Sequence, residues 1–197
     1  MRRIKMVGLA IVAVLAFAAV AAAGASAEEF IASKTGSLKG KALNTQKFNT
    51  GGFATVACKK LSVTGTVTVL KATEQAASIQ YEECEVEGLG GSATISLADY
   101  TFFTGPPSVM TLNLIDITVS SPVKCKITVA SGQSLSGLKY NNKTGKVEVE
   151  AKVTGIASEI VESGSSLFCG TVGEKNTKGT YTGNSEVELE GGTIEVK

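Results

Sequence analysis

The chain contains no histidine and no tryptophan, and phenylalanine and tyrosine together make up only 6% of it. Without histidine, neither a Ser–His–Asp nor a Cys–His catalytic arrangement can be assembled. The scarcity of aromatic rings leaves no basis for a stacking platform for bases or sugars. Charge of either sign is also not in excess, with 19 basic and 18 acidic residues. No phosphate-neutralising field exists, so nucleic acid is not an expected partner.

Apolar runs are confined to one place. Arg2, Arg3 and Lys5 precede an uncharged stretch from Met6 to Ala23, and Ala25-Ser26-Ala27 follows as a small-residue cleavage site. Basic, apolar and small segments in that order predict an export signal over residues 1–27, with the mature chain starting at Glu28. An uncleaved anchor is the rival reading, since the stretch is just long enough to span a bilayer as a helix. The alanine richness and the adjacent cleavage site favour removal. No second apolar stretch follows, so no stable membrane span is expected after cleavage, and secreted or cell-surface-associated protein is the expected localisation.

Four cysteines are present: Cys58, Cys84, Cys125 and Cys169. In an exported chain they predict two disulfides, with three pairings open to them. Sequential pairing, Cys58–Cys84 and Cys125–Cys169, is favoured because each half of the chain then receives one closure. A metal site fits poorly, because no two cysteines are close in sequence and no histidine is available. No cofactor is expected.

Strand patterns fill the rest. Leu61 to Val69 alternates apolar with hydroxyl residues, placing Val63, Val67 and Val69 on one face. Val123, Cys125, Ile127 and Val129 alternate with Lys124, Lys126 and Thr128 in the same way. Asn141 to Gly145 reads as the turn of a hairpin whose second strand turns Val147, Val149, Ala151 and Val153 inward. Val109 to Val119 has apolar residues on both faces and reads as one central strand. Gly36 and Gly40 read as interruptions, and Lys71 to Ala77 as a short helical turn. These elements predict an all-β fold, an antiparallel β-sandwich with a partly closed β-barrel as the alternative. One domain over 28–197 is the simpler organisation; two β subdomains meeting near 120–122, at Ser120-Ser121-Pro122, are the other.

Few side chains suggest chemistry. Glu82, Glu83, Glu85 and Glu87 form an acidic run able in principle to attract a hard cation, but without the curved, glycine-centred loop that calcium needs. A solvated face is the expected role. Asp99 and Asp116 stand within otherwise apolar or hydroxyl-rich strands, where a paired carboxylate would suit glycan hydrolysis; a local hydrogen bond is the plainer expectation. Phe102, Phe103 and Met110, around Gly105-Pro106-Pro107, suggest either an apolar binding loop or core packing. Asn142-Lys143-Thr144 matches the N-glycosylation pattern.

The segments Glu29-Phe30-Ile31-Ala32-Ser33, Gly52-Phe53, Val56-Ala57-Cys58 leading to Gly65, Tyr81-Glu82-Glu83-Cys84, Cys125-Lys126-Ile127-Thr128-Val129 and Tyr181-Thr182-Gly183 resemble a group of uncharacterised secreted β-rich proteins of soil actinobacteria. The resemblance covers most of residues 28–190. It implies an exported β fold and carries no activity and no site residues; a further cysteine pair common in that group is missing here.

Taken together, the residues predict a secreted, noncatalytic β-rich structural, surface-associated or binding protein, with a cell-envelope or extracellular polymer as the partner class in view. A carboxylate-based extracellular hydrolase and a carrier of a small apolar ligand are the alternatives. The carrier requires a closed interior with an apolar cavity.

Overall fold

The computed structural model describes residues 28–52, 55–88, 90–121 and 123–197. The expected export signal lies outside the described residues. In chain order the strands are β1 (Phe30–Ala32), β2 (Gly36–Ala42), β3 (Gln46–Asn49), β4 (Thr55–Val67), β5 (Lys71–Ala72), β6 (Glu74–Val86), β7 (Gly91–Ile95) and β8 (Ala98–Phe103). They continue as β9 (Val109–Thr111), β10 (Ile115–Val119), β11 (Cys125–Val129), β12 (Ser134–Leu135), β13 (Leu138–Lys143) and β14 (Lys146–Ser163). A single helical turn, α1 (Ser166–Cys169), precedes β15 (Lys175–Leu189) and β16 (Ile194–Val196).

The fold is all-β, antiparallel and sandwich-like. One ladder runs β12-β9-β8-β6-β7-β10-β11-β14-β15-β2-β4-β3, and a further pairing of β4 with β6 closes the part of it from β6 to β4 on itself. The long strands carry the chain from one layer to the other. In β14 and β15 the register shifts around Thr154, Ile156 and Ser158, beside Gly155 at φ 79°. Such bulges bend a strand and increase its twist, letting a single ladder fold over on itself. A small sheet, β16-β1-β5, lies apart from this ladder. Phe30 on β1 meets the Tyr140 ring edge-on at 5.3 Å, and Ala32, Leu38, Val67, Val147, Leu189 and Ile194 pack as a second, smaller core.

Period-two alternation accounts for the main core. In β11, Cys125, Ile127 and Val129 are buried while Lys126 and Thr128 are only partly so; β10 does the same with Ile115, Ile117 and Val119. Val56 and Ala98 have no exposed surface at all. Each valine, leucine or isoleucine so buried stabilises the fold by roughly 1.5–3 kcal/mol before entropy is counted. This core draws on residues from Phe48 to Cys169, on both sides of the 120–122 break.

Several local expectations are corrected. Lys71 to Ala77 forms β5 and the start of β6 rather than a helical turn, because β6 is hydrogen-bonded on both sides, to β4 and β8. Gly40 lies inside β2 rather than interrupting it. A Cβ there would stand 2.6 Å from the Glu186 carbonyl oxygen and 2.9 Å from Val63 Cβ, so its lack of a side chain lets β15 and β4 close in. The expected strand from Val109 to Val119 is two strands, and Leu112 and Leu114 between them are 46% and 53% exposed. Val69, read as core-facing, lies beyond the end of β4 and is exposed.

Glu83 is the one non-glycine with positive φ (52°) among the described residues. A left-handed backbone at a residue with a Cβ costs about 1–2 kcal/mol. Glu83 pairs with Lys60, but both side chains are at least half exposed, where such pairs contribute little. Glu83→Gly is therefore expected to raise the stability by about 1 kcal/mol, read as a higher urea midpoint; a lower midpoint would show that the ion pair outweighs the strain.

Candidate functional site

Inward-facing positions of β3, β4, β6, β8, β14 and β15 do not fill the space between the layers. Two cavities remain, each of about 80 Å³. Gln46, Ile79, Phe102, Leu138 and Tyr181 line both, so the cavities share a wall. The lining is overwhelmingly apolar, and among the described residues it contains no lysine, arginine, aspartate or glutamate.

The shared wall holds a built polar centre. Gln46, only 2% exposed, donates from Nε2 to the carbonyl oxygens of Asn44 at 2.7 Å and Asn184 at 2.9 Å. Its Oε1 accepts from the Tyr181 hydroxyl at 2.6 Å. Gly183 makes room for this amide: a Cβ there would lie 1.9 Å from Gln46 Oε1. Tyr181 stands edge-on to Tyr81, with ring centroids 6.1 Å apart. Tyr81, Tyr100 and Tyr181 line the first of the two cavities together. Burial pushes the Tyr81 and Tyr100 phenols well above their ordinary value, and it raises Tyr181 and Tyr140 as well. Desolvation disfavours the phenolate, so these groups stay protonated and neutral.

Most residues singled out from the sequence fall elsewhere; Cys58 lines the first cavity. Phe102 turns into the cavities. Asp99 accepts from the Ser78 hydroxyl at 2.5 Å and from Asn113 Nδ2 at 3.1 Å. Asp116 pairs with Lys126 at 3.0 Å and accepts from the Thr128 hydroxyl at 3.2 Å. Both carboxylates thus serve local structure. Three of the four carboxylates in the acidic run are matched by lysines: Glu83 pairs with Lys60, Glu85 with Lys59 at 2.6 Å and Glu87 with Lys47 at 2.6 Å. No cluster of three potential metal ligands occurs among the described residues. Asn142 spends its amide on the backbone of Val196, donating to the carbonyl at 2.7 Å and accepting from the N–H at 2.8 Å. Disulfides join Cys58 to Cys84, across β4 and β6, and Cys125 to Cys169, between β11 and α1.

The tyrosine–glutamine centre was not read from the sequence. One local signal existed: Gln46 shares a face with Phe48 in β3, and both are buried, so an amide on an apolar face called for internal partners. No family model matches this chain, and no curated protein or solved structure matches it either.

Proposed function

We propose that this protein is an exported, noncatalytic binding module that holds a small apolar ligand between its layers. The observation that carries the reading is the pair of adjoining, uncharged apolar cavities around Gln46 and Tyr181. An apolar cavity of about 150 Å³ stays dry and takes up benzene or xenon. Each cavity here is about 80 Å³, so a small ligand, or a short chain lying along the shared wall, matches the space. Hydrolysis has less support, since Asp99 and Asp116 are both engaged by neighbouring structural groups. Among the described residues no helix is long and apolar enough to cross a membrane. The outer surface instead carries Lys–Glu pairs such as Lys39–Glu190 and Lys59–Glu85, which suit an outer face in water.

The test is xenon titration of the oxidised protein followed by nuclear magnetic resonance, with solvent extraction of natively purified protein analysed by mass spectrometry. Xenon is expected to shift the methyl signals of Ile79 and Leu138 in the shared wall, and the extract to contain a stoichiometric apolar compound. Unchanged methyl signals together with an empty extract would remove the binding reading and leave a purely structural role.

A further inference from the structure

The second cavity is bounded by the small sheet as well as by the main ladder. Phe30 of β1 and Ile194 of β16 both line it, and both are buried. The small sheet lies where β2 starts and where β4 and β15 finish, since the connections span only residues 33–35, 68–70 and 190–193. Within it, β1 and β16 are bonded to each other along their length. Phe30, Ile31 and Ala32 pair with Val196, Glu195 and Ile194. Ser33 N–H donates to the Thr193 carbonyl at 3.0 Å, and Lys197 N–H to the Glu29 carbonyl at 2.9 Å. A displacement of one strand therefore carries the other. Glycines flank the pair: Gly36 opens β2 at φ 155°, and Gly191, at φ 64°, precedes Gly192 and β16. Without a Cβ such positions absorb the φ and ψ changes of a hinge at little cost.

Few bonds hold this pair in place. On one side β1 meets β5 through two residue pairs, Phe30 with Ala72 and Ile31 with Lys71, continued by a bond from Ala32 N–H to the Leu70 carbonyl at 2.8 Å. On the other side the Asn142 amide stands in for a strand, taking both the carbonyl and the N–H of Val196. The Thr104 hydroxyl donates to the Glu28 carbonyl, and the Phe30 ring rests on Tyr140. Both disulfides lie elsewhere. In the main ladder, by contrast, β14 and β15 share a register of twelve residue pairs. Local opening follows the weakest cooperative unit, and here that is the β1–β16 pair. Building on the reading of the interior as a ligand site, we propose that β1 and β16 form a hinged flap. It opens by releasing β5 and Asn142 and admits an apolar ligand past Phe30 and Ile194 into the second cavity.

Exchange of n-pentane, followed by methyl relaxation dispersion at Ile79 and Leu138, tests this in the oxidised protein and in two variants that leave the cavity lining untouched. Asn142→Ala removes the fastening of β16. It is expected to raise the association and dissociation rates together, about five- to thirtyfold as two net hydrogen bonds allow, with affinity unchanged. Ile31→Cys with Lys71→Cys bridges β1 to β5. Because Ala32 and Leu70 are hydrogen-bonded, the neighbouring Ile31–Lys71 pair is of the closer, non-hydrogen-bonded kind, within reach of a disulfide. That bridge is expected to slow both rates at least tenfold relative to Ile31→Ser with Lys71→Ser, again at constant affinity. Rates moved by neither variant, with pentane still bound, would overturn the flap and leave the cavity as a binding site entered elsewhere. Altered affinity with unaltered exchange would overturn it likewise. Failure of pentane and xenon alike to bind would overturn the binding reading, and the flap with it.

Discussion

Raising the pH from about 10 to about 11 is expected to remove about 4 kcal/mol of stability, because each of the four phenols, half ionised at pH 10 in the unfolded chain, contributes about 1 kcal/mol over that unit. The chain has four tyrosines in all, Tyr81, Tyr100, Tyr140 and Tyr181, and burial raises every one of them above the ordinary value of 10.0. In the unfolded chain these groups release their protons near pH 10, whereas the folded protein holds them. Above that pH the unfolded state binds fewer protons, so stability falls with rising pH; below it the contribution is fully present. A loss of that size in one pH unit is a large part of the stability of a typical domain. Tyrosinate absorbance should therefore stay flat through pH 10 and then rise in one cooperative step, coincident with loss of the β circular-dichroism signal. A gradual rise centred near pH 10 in protein that is still folded would show that the phenols are open to water.

Removing the Cys125–Cys169 bridge as a double alanine variant is expected to lower stability by about 4 kcal/mol, more than the loss of Cys58–Cys84 at about 3.5 kcal/mol. The difference follows from the closures, which span 44 and 26 residues, since the longer loop gains more freedom in the unfolded chain when released. Local structure points the same way. Cys58 and Cys84 already face each other in register on two strands that are hydrogen-bonded along most of their length. Cys169 lies in a helical turn of four residues, outside the main ladder, and its bridge ties that turn to β11. Urea unfolding of both double variants is the measurement. A larger loss for the Cys58–Cys84 pair would mean that the bridge stabilises strand pairing directly and that loop entropy is the lesser effect.

How much of the architecture was legible depended on how local its cause is. Of the inward sets, Cys125, Ile127, Val129, Val147, Ala151 and Val153 are buried and Val123 and Val149 partly so; the hairpin from β13 to β14 turns at Thr144-Gly145, with Asn141 to Lys143 paired inside β13 rather than in the turn. Strand continuity was less legible. The segment from Thr55 to Val67 is one strand, of which the alternation from Leu61 onward marks only the second part, and Lys175 to Leu189 runs unbroken through Gly179 and Gly183. Here a neighbouring strand stands so close that no side chain would fit, as at Gly40 and Gly183.

By itself, the sequence determined that the described chain is built of antiparallel strands, that histidine chemistry is unavailable and that four cysteines stand ready to pair. Those properties follow from composition and from the two-residue period of the pleat, which each segment expresses without reference to the others. The tertiary structure alone decided which cysteine meets which, that Leu112 and Leu114 face water, and that Gln46, Tyr81, Tyr100 and Tyr181 line one cavity. Gln46 and Tyr181 lie 135 residues apart. Their contact exists because β3 pairs with β15 and because β4 closes the ladder onto β6, and a pairing between distant strands leaves no periodic trace in either one.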